Sequence, residues 1–158
     1  MNWAHVHLLL NHVPVLGTIF GLALLIWGVW RRNHTLQRAA LTVFVVGALV
    51  AIPVYLTGEP SEDAVENLAG TAENAIEIHE DAATLALVAV EVLGLIGLLG
   101  LFVHRPGFAR LVMPGALALA VITAGLMART ANLGGKIRHA ELRGAAAATG
   151  GGGEGEEH

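Results

Sequence analysis

Residues 82–103 read AATLALVAVEVLGLIGLLGLFV and carry one ionisable side chain, Glu91. As an α-helix rising ~1.5 Å per residue, this run is long enough to cross ~30 Å of hydrocarbon. Three further runs are similarly apolar and similarly long: residues 13–30, 39–56 and 111–127. A chain of 158 residues with four such runs is predicted to be a helical membrane protein, because isolated strands would leave backbone donors unpaired in lipid.

The composition excludes several classes of protein. With 54% hydrophobic and 14% charged residues, the chain is not an ordinary soluble domain, and it has no basic surface suited to nucleic acid. It has no cysteine, which excludes disulfides, thiolate-ligated iron–sulfur clusters and covalently attached haem. Any haem would therefore be b-type, held without a covalent bond.

We predict an all-α fold, an antiparallel four-helix bundle in the membrane formed by residues 1–140. A short surface helix is expected between the second and third spans, with Ser61 as its N-cap and Gly70 at its end. Residues 141–158 are rich in glycine and glutamate and are expected to be a disordered tail. The N-terminus has no basic segment typical of a signal peptide, so the first span is expected to be retained.

Charge predicts the orientation in the membrane. The second loop, residues 58–78, has acidic but no basic side chains, whereas the first and third loops contain Arg31, Arg32, Arg38, Arg105 and Arg110. The positive-inside rule then puts both termini outside a bacterial inner membrane. Against the five basic residues in the first and third loops, four follow the fourth span, on the predicted outer side: Arg129, Lys136, Arg138 and Arg143. We give the short loops more weight than this small difference in number.

Two histidines adjoin apolar runs that enter the bilayer from the same predicted side. His12 directly precedes the first run, and His79 lies three residues before the third. Neighbours of His79 at helical spacing are small and would leave a flat space beside its ring: Ala75, Ala82 and Ala83. Histidine is a common axial ligand of haem iron. We therefore favour His12 and His79 as ligands of haem b, although a lone interfacial histidine more simply bonds headgroups or water.

Further residues near the same end are reserve ligands. His5 lies on roughly the stripe of His12 and His7 is offset from it, while Met127 offers a thioether at a similar depth. Arg129 and Arg138 are candidates to pair with haem propionates. The alternative for these arginines is pairing with the acidic second loop.

Glu91 lies near the middle of its span, where an ionisable residue is a functional candidate by default. No basic residue shares its depth, so the neutral acid is favoured. We slightly prefer a neutral carboxyl that bridges two helices over a proton path, with Thr18, Thr42 or Thr123 as its hydrogen-bond partner. Glycines in the first and third spans indicate close helix packing: Gly17, Gly21, Gly94, Gly97 and Gly100.

The segment HLLLNHVP, residues 7–14, resembles the opening of the domain of unknown function 2231 family, whose pattern runs H-P-x-x-x-H-F-P. Here Leu8 replaces the first proline and Val13 the phenylalanine. The dipeptide at 57–58 is similar to the Thr-Gly that closes the family's second helix, and residues 133–139 are similar to its Gly-Gly-x-Leu-Val-Tyr segment, with a different histidine position. The resemblance covers residues 1–140. It implies a four-helix membrane protein, sometimes found beside respiratory or electron-transfer components.

Together these features predict a small membrane b-type haem protein that transfers electrons near the outer face of the bilayer. It would perform no bond chemistry itself and would have a respiratory or redox protein as its partner. One alternative is a cofactor-free accessory subunit of a respiratory complex. A metal or proton transporter ranks last, because such a protein should line its spans with more polar residues.

Overall fold

The computed structural model describes residues 3–58, 73–102 and 106–138. All regular secondary structure in these ranges is helical: α1 (Trp3–Leu10), α2 (His12–Trp30), α3 (His34–Leu56), α4 (Glu73–Phe102) and α5 (Pro106–Arg138). The described part of the chain contains four segments long and apolar enough to cross a membrane: His5–Trp30, His34–Leu56, Asn74–Phe102 and Leu111–Lys136. The predicted all-α class with four span-length helices is confirmed. The predicted surface helix and the tail lie outside the described residues.

A proline explains the break between α1 and α2. Pro14 has no N–H to donate to the carbonyl of Leu10, and its ring crowds that carbonyl. The two helices are consequently separated at Asn11, which keeps right-handed helical dihedrals (φ −61°, ψ −26°). The break therefore interrupts the hydrogen-bond pattern more than the path of the chain.

A tight turn joins α2 to α3. The N–H of Asn33 donates to the carbonyl of Gly28 at 2.8 Å, and the N–H of Arg32 donates to the carbonyl of Val29 at 3.1 Å. These two hydrogen bonds define a Schellman motif. Arg32 occupies the left-handed position of this motif, with φ 50°. The side chain of Asn33 then caps α3, because its Oδ1 accepts from two N–H groups of the first turn at 2.9 and 3.1 Å.

Each long helix packs against the next in the chain, and α2 also contacts α5. The contacts join the start of one helix to the end of its neighbour. Arg38, near the start of α3, donates to the carbonyl of Leu101 at the end of α4, at 3.2 Å. Thr130, near the end of α5, donates to the carbonyl of Ala82 near the start of α4, at 3.1 Å. Neighbouring helices therefore run antiparallel.

Small residues set how closely the helices approach. A Cβ on Gly21 would lie 2.5 Å from the ring of Phe44, and one on Gly97 would lie 2.9 Å from the carbonyl oxygen of Leu41. A Cβ on Gly94 would collide with Ala48. The prediction of close packing at these glycines is confirmed, whereas Gly17 makes only ordinary contact.

Two apolar clusters fill the interior. The central cluster consists of Leu25, Ala40, Leu41, Phe44, Leu93, Ala116 and Ala120. The second cluster lies nearer the start of α4 and consists of Ala51, Ala86, Val90 and Met127. Alanine is frequent in both clusters, so the helices can approach closely throughout.

We expect Gly97→Ala to destabilise the protein by about 1–3 kcal/mol, because the new methyl group meets a backbone oxygen that cannot rotate away. The matched control is Gly115→Ala on α5, where nothing lies within 4 Å of the Cβ position. That substitution should gain about 0.5–1 kcal/mol from helix propensity. Thermal unfolding followed by circular dichroism in detergent measures both changes. Equal stability of the Gly97→Ala variant and the parent protein would contradict the close approach of α3 and α4.

Candidate functional site

The inward face of α2 identifies the first residue of the site. Its buried positions follow one another at alternating spacings of four and three residues: Pro14, Thr18, Gly21, Leu25 and Gly28. Continued towards the N-terminus, the same spacing reaches Asn11 and then His7. The structure agrees with this extrapolation, because Asn11 and His7 are half-buried whereas His5 and His12 are exposed.

His7 bonds to the end of α3. Its Nδ1 lies 3.0 Å from the carbonyl oxygen of Val54 and 3.3 Å from the hydroxyl of Thr57. A carbonyl only accepts, so Nδ1 carries the proton. Val54 is in the last turn of α3, and its carbonyl also accepts from the N–H and the hydroxyl of Thr57, at 3.3 and 3.0 Å. His7 thus links α1 to the end of α3, and its Nε2 keeps a lone pair that no described residue bonds.

His79 is held in the same way by α5. Its Nδ1 lies 3.1 Å from the carbonyl oxygen of Thr130, so this nitrogen also carries a proton. The ring lies against Gly134, where a Cβ would come 3.1 Å from Cε1. Glycine lets the imidazole pack closely here, since a side chain at this position would crowd the ring. The Nε2 of His79 makes no hydrogen bond to a residue that the structure describes.

The two histidines lie at one end of the packed helices, which we call the histidine end. His7 is close enough to His79 for a charge on one ring to act on the other. Within the three described ranges, no group of three His, Asp or Glu side chains is arranged to hold a metal ion. The described residues therefore offer a pair of imidazoles rather than a complete protein metal site.

Asn11 adds an unsatisfied polar atom one helical turn from His7. Its Oδ1 is buried and has no hydrogen-bond partner among the described residues. Leaving such an atom unpaired costs roughly 1–3 kcal/mol. The Oδ1 can therefore accept a hydrogen bond from a ligand that binds beside His7. Asn11 was not among the candidate residues predicted from the sequence. It can be found from the sequence, because it continues the alternating spacing of four and three residues along α2.

The other predicted ligands lie elsewhere. His12 is exposed, and its Nδ1 bonds the carbonyl of Leu8 in the preceding turn at 3.0 Å. His5 is also exposed, and Met127 is buried in the second apolar cluster. His7, rather than His12, is the half-buried histidine near the N-terminus that bonds to a neighbouring helix at this end. Arg129, on the last turns of α5, is exposed. The side chain of Arg138 is outside the described part of the structure.

In the described part of the chain, the predicted hydrogen bond between Glu91 and a threonine is absent at the buried oxygen of Glu91. The side chain is half-buried, and its Oε1 is buried without a hydrogen-bond partner among the described residues. The hydroxyls of Thr18, Thr42 and Thr123 instead donate to carbonyls four residues earlier in their own helices, at 2.7, 3.0 and 2.8 Å. The predicted helix-bridging bond is therefore not formed at this oxygen.

Comparison of the chain with protein families, with curated proteins and with solved structures found no significant match. The resemblance to the domain of unknown function 2231 family stays a prediction that rests on its short motifs.

Proposed function

We propose that this chain is a multi-pass membrane protein that binds haem b through His7 and His79 and transfers electrons. One observation carries the proposal. Both imidazoles donate Nδ1–H to a backbone carbonyl of a neighbouring helix, which fixes the ring and leaves Nε2 as a neutral ligand atom. Histidines that bind metals in proteins are commonly held in this way. We therefore propose His7, in place of His12, as the ligand that pairs with His79.

The surface supports insertion into a membrane. Large apolar side chains project outwards from all four long helices, including Phe20, Trp30, Leu49, Leu56, Phe102 and Leu111, each more than 60% exposed. The inward faces also carry glycine, alanine and threonine, which let the helices approach closely. A continuous apolar exterior of this size would associate in water, whereas lipid solvates it.

The donor set favours haem over a bare metal ion. Two imidazoles are too few to hold a transition metal in a closed protein site, but they suffice for haem iron because the macrocycle supplies four nitrogens. When bound, haem would supply one-electron redox chemistry. The protein would fix the two ligands, keep water from one side with the second apolar cluster, and offer Arg129 near the same end of α5 as a cation for propionates.

The space at the site limits where a macrocycle fits. Helices α4 and α5 are in contact through Thr130 and Ala82, so no ring enters between them at this level. Beside Gly135 there is open space, since nothing lies within 4 Å of its Cβ position. The orphaned Oδ1 of Asn11 is on the stripe of α2 that carries His7, and it supports a macrocycle on the α2 side of the histidine end.

The test is the optical spectrum of the protein purified in detergent after haem supplementation, oxidised and then reduced with dithionite. Low-spin haem b held by two histidines gives a Soret band and, on reduction, a sharp α band. Haem at one equivalent per chain supports the proposal. A protein that folds but shows no Soret band contradicts it.

The close packing around His79 favours a second candidate, a cofactor-free accessory subunit of a respiratory membrane complex. In that case His7 and His79 act only as hydrogen-bonding links between helices, and Gly134 allows the contact. Co-purification with a larger respiratory complex and no haem would support it. A transporter is less favoured, because the buried hydroxyls of Thr18, Thr57 and Thr123 already bond to backbone carbonyls.

We expect cysteines at the first and second loops to be labelled from opposite sides of a bacterial inner membrane. His34→Cys is the better probe of the first loop, since His34 is exposed whereas the adjacent Asn33 caps α3. Glu66→Cys probes the second loop. With the termini outside, a membrane-impermeant maleimide added to intact cells labels the Glu66→Cys variant only. The reverse pattern would invert the topology.

A further inference from the structure

A groove lies on the surface where α2 meets the start of α3, at the opposite end from His7 and His79. It has a volume of about 300 Å³, and its lining is apolar: Phe20, Ala23, Leu24, Trp27 and Leu36. Phe20, Leu24 and Trp27 follow the spacing of one helix face, so the groove extends for roughly 10 Å along α2. Its width between two helices and its apolar lining suit a hydrocarbon chain.

Two arginines lie at the end of α2, about one helical turn beyond the groove residue Trp27. Arg31 comes four residues after Trp27 and continues the same helix face, and Arg32 is its neighbour. Both are exposed, and neither side chain makes a hydrogen bond or an ion pair with a residue in the described ranges. Arg38, by contrast, bonds to the end of α4. The charged groups of Arg31 and Arg32 therefore take part in no hydrogen bond or ion pair between described residues.

Arg32 also has an unfavourable backbone conformation. At φ 50° it occupies the position of the Schellman motif where glycine is usual, since glycine has no Cβ to crowd the carbonyl. A strained residue whose side chain makes no contact in the described fold points to a role for that side chain outside the fold. For an arginine beside an apolar groove, that role is binding an anion attached to a hydrocarbon chain.

We infer that this groove binds an anionic phospholipid, with one acyl chain along Phe20, Leu24 and Trp27 and the phosphate between Arg31 and Arg32. Charge complementarity selects this occupant, because a zwitterionic lipid has no net charge and its ammonium group opposes the two arginines. Trp27 and Trp30 form an edge-to-face pair at 6.3 Å near the end of α2, and tryptophan prefers the headgroup level. The inference rests on the membrane-spanning part of the proposed function and not on haem.

Fluorescence quenching tests the inference, because Trp27 lines the groove. In a Trp3→Phe background, phosphatidylglycerol and phosphatidylcholine with brominated acyl chains are titrated into the full-length protein in detergent. We expect phosphatidylglycerol to quench at the lower concentration. Arg31→Gln with Arg32→Gln should weaken this lipid about 25-fold, at about fivefold for each arginine, and weaken phosphatidylcholine much less, so that the preference between the two lipids is lost. Equal quenching by both lipids would overturn the inference.

Two controls separate lipid binding from folding. Lys136→Gln removes an exposed charge at the other end of the molecule and should leave the quenching unchanged. Arg32→Gly relieves the strained backbone, so it should keep or raise the unfolding temperature while weakening phosphatidylglycerol about fivefold. Wild-type lipid affinity in Arg32→Gly would overturn the assignment. A protein without haem that still prefers phosphatidylglycerol would contradict the haem proposal alone.

Discussion

Replacing either His7 or His79 with alanine is expected to abolish the low-spin haem spectrum, whereas His12→Ala leaves it intact. His7 and His79 are half-buried and are fixed by carbonyls of α3 and α5, so each substitution removes a preorganised axial ligand. His12 is exposed and bonds only within its own part of the chain. Spectra of the three variants, oxidised and dithionite-reduced, with haem measured per chain, provide the comparison.

Folding must be separated from ligation in this experiment. Circular dichroism and size-exclusion chromatography identify variants that lose their helices. His7→Asn and His79→Asn keep an amide donor at the position of Nδ1 but remove the imidazole, so they should be folded and free of low-spin haem. If His12→Ala loses the spectrum while His7→Asn keeps its haem, the ligands are His12 and His79, and the proposed ligation by His7 is wrong.

Replacing Glu91 with lysine is expected to prevent accumulation of the folded protein. A cation in the middle of a span costs about 3 kcal/mol on membrane-insertion scales. The described residues form no hydrogen bond to the buried oxygen at this position, so a lysine here would also lack a partner. Glu91→Gln should be tolerated, since the amide keeps the shape of the side chain. The measurement is the yield of monodisperse protein from membranes.

Glu77→Lys is the matched control for this substitution. It makes the same change on the same helix at an exposed position outside the apolar run, so the yield should stay near that of the parent. A normal yield of Glu91→Lys would show that position 91 reaches water. Loss of transport activity in a well-folded Glu91→Gln variant would instead favour proton movement.

The sequence was sufficient to predict the helices because membrane helices follow from length and hydropathy. The run at 82–103 falls inside α4 apart from its last residue, and the run at 13–30 coincides with nearly all of α2. The glycines of the third span also predicted close packing on α4, and Gly94 and Gly97 contact α3 closely. These features depend on local composition, which a single sequence contains in full.

The candidate site was predicted only in part. Proximity to the apolar run selected His12, but burial depends on the helix face rather than on depth, and His12 lies off the stripe that runs through Thr18 and Gly21. Counting back along that stripe selects His7. The carbonyls that hold His7 and His79 belong to other helices, in contacts 47 and 51 residues apart in the chain, which no local pattern specifies.

The turn between α2 and α3 has a consequence for biogenesis. Every hydrogen bond described above that closes it joins residues at most nine positions apart, as does the bond from the side chain of Gln37 to the carbonyl of Gly28. Local contacts of this kind form early, because they require little loop closure. In the membrane protein that we propose, the α2–α3 hairpin would therefore fold and enter the bilayer as one unit, before α4 has been synthesised.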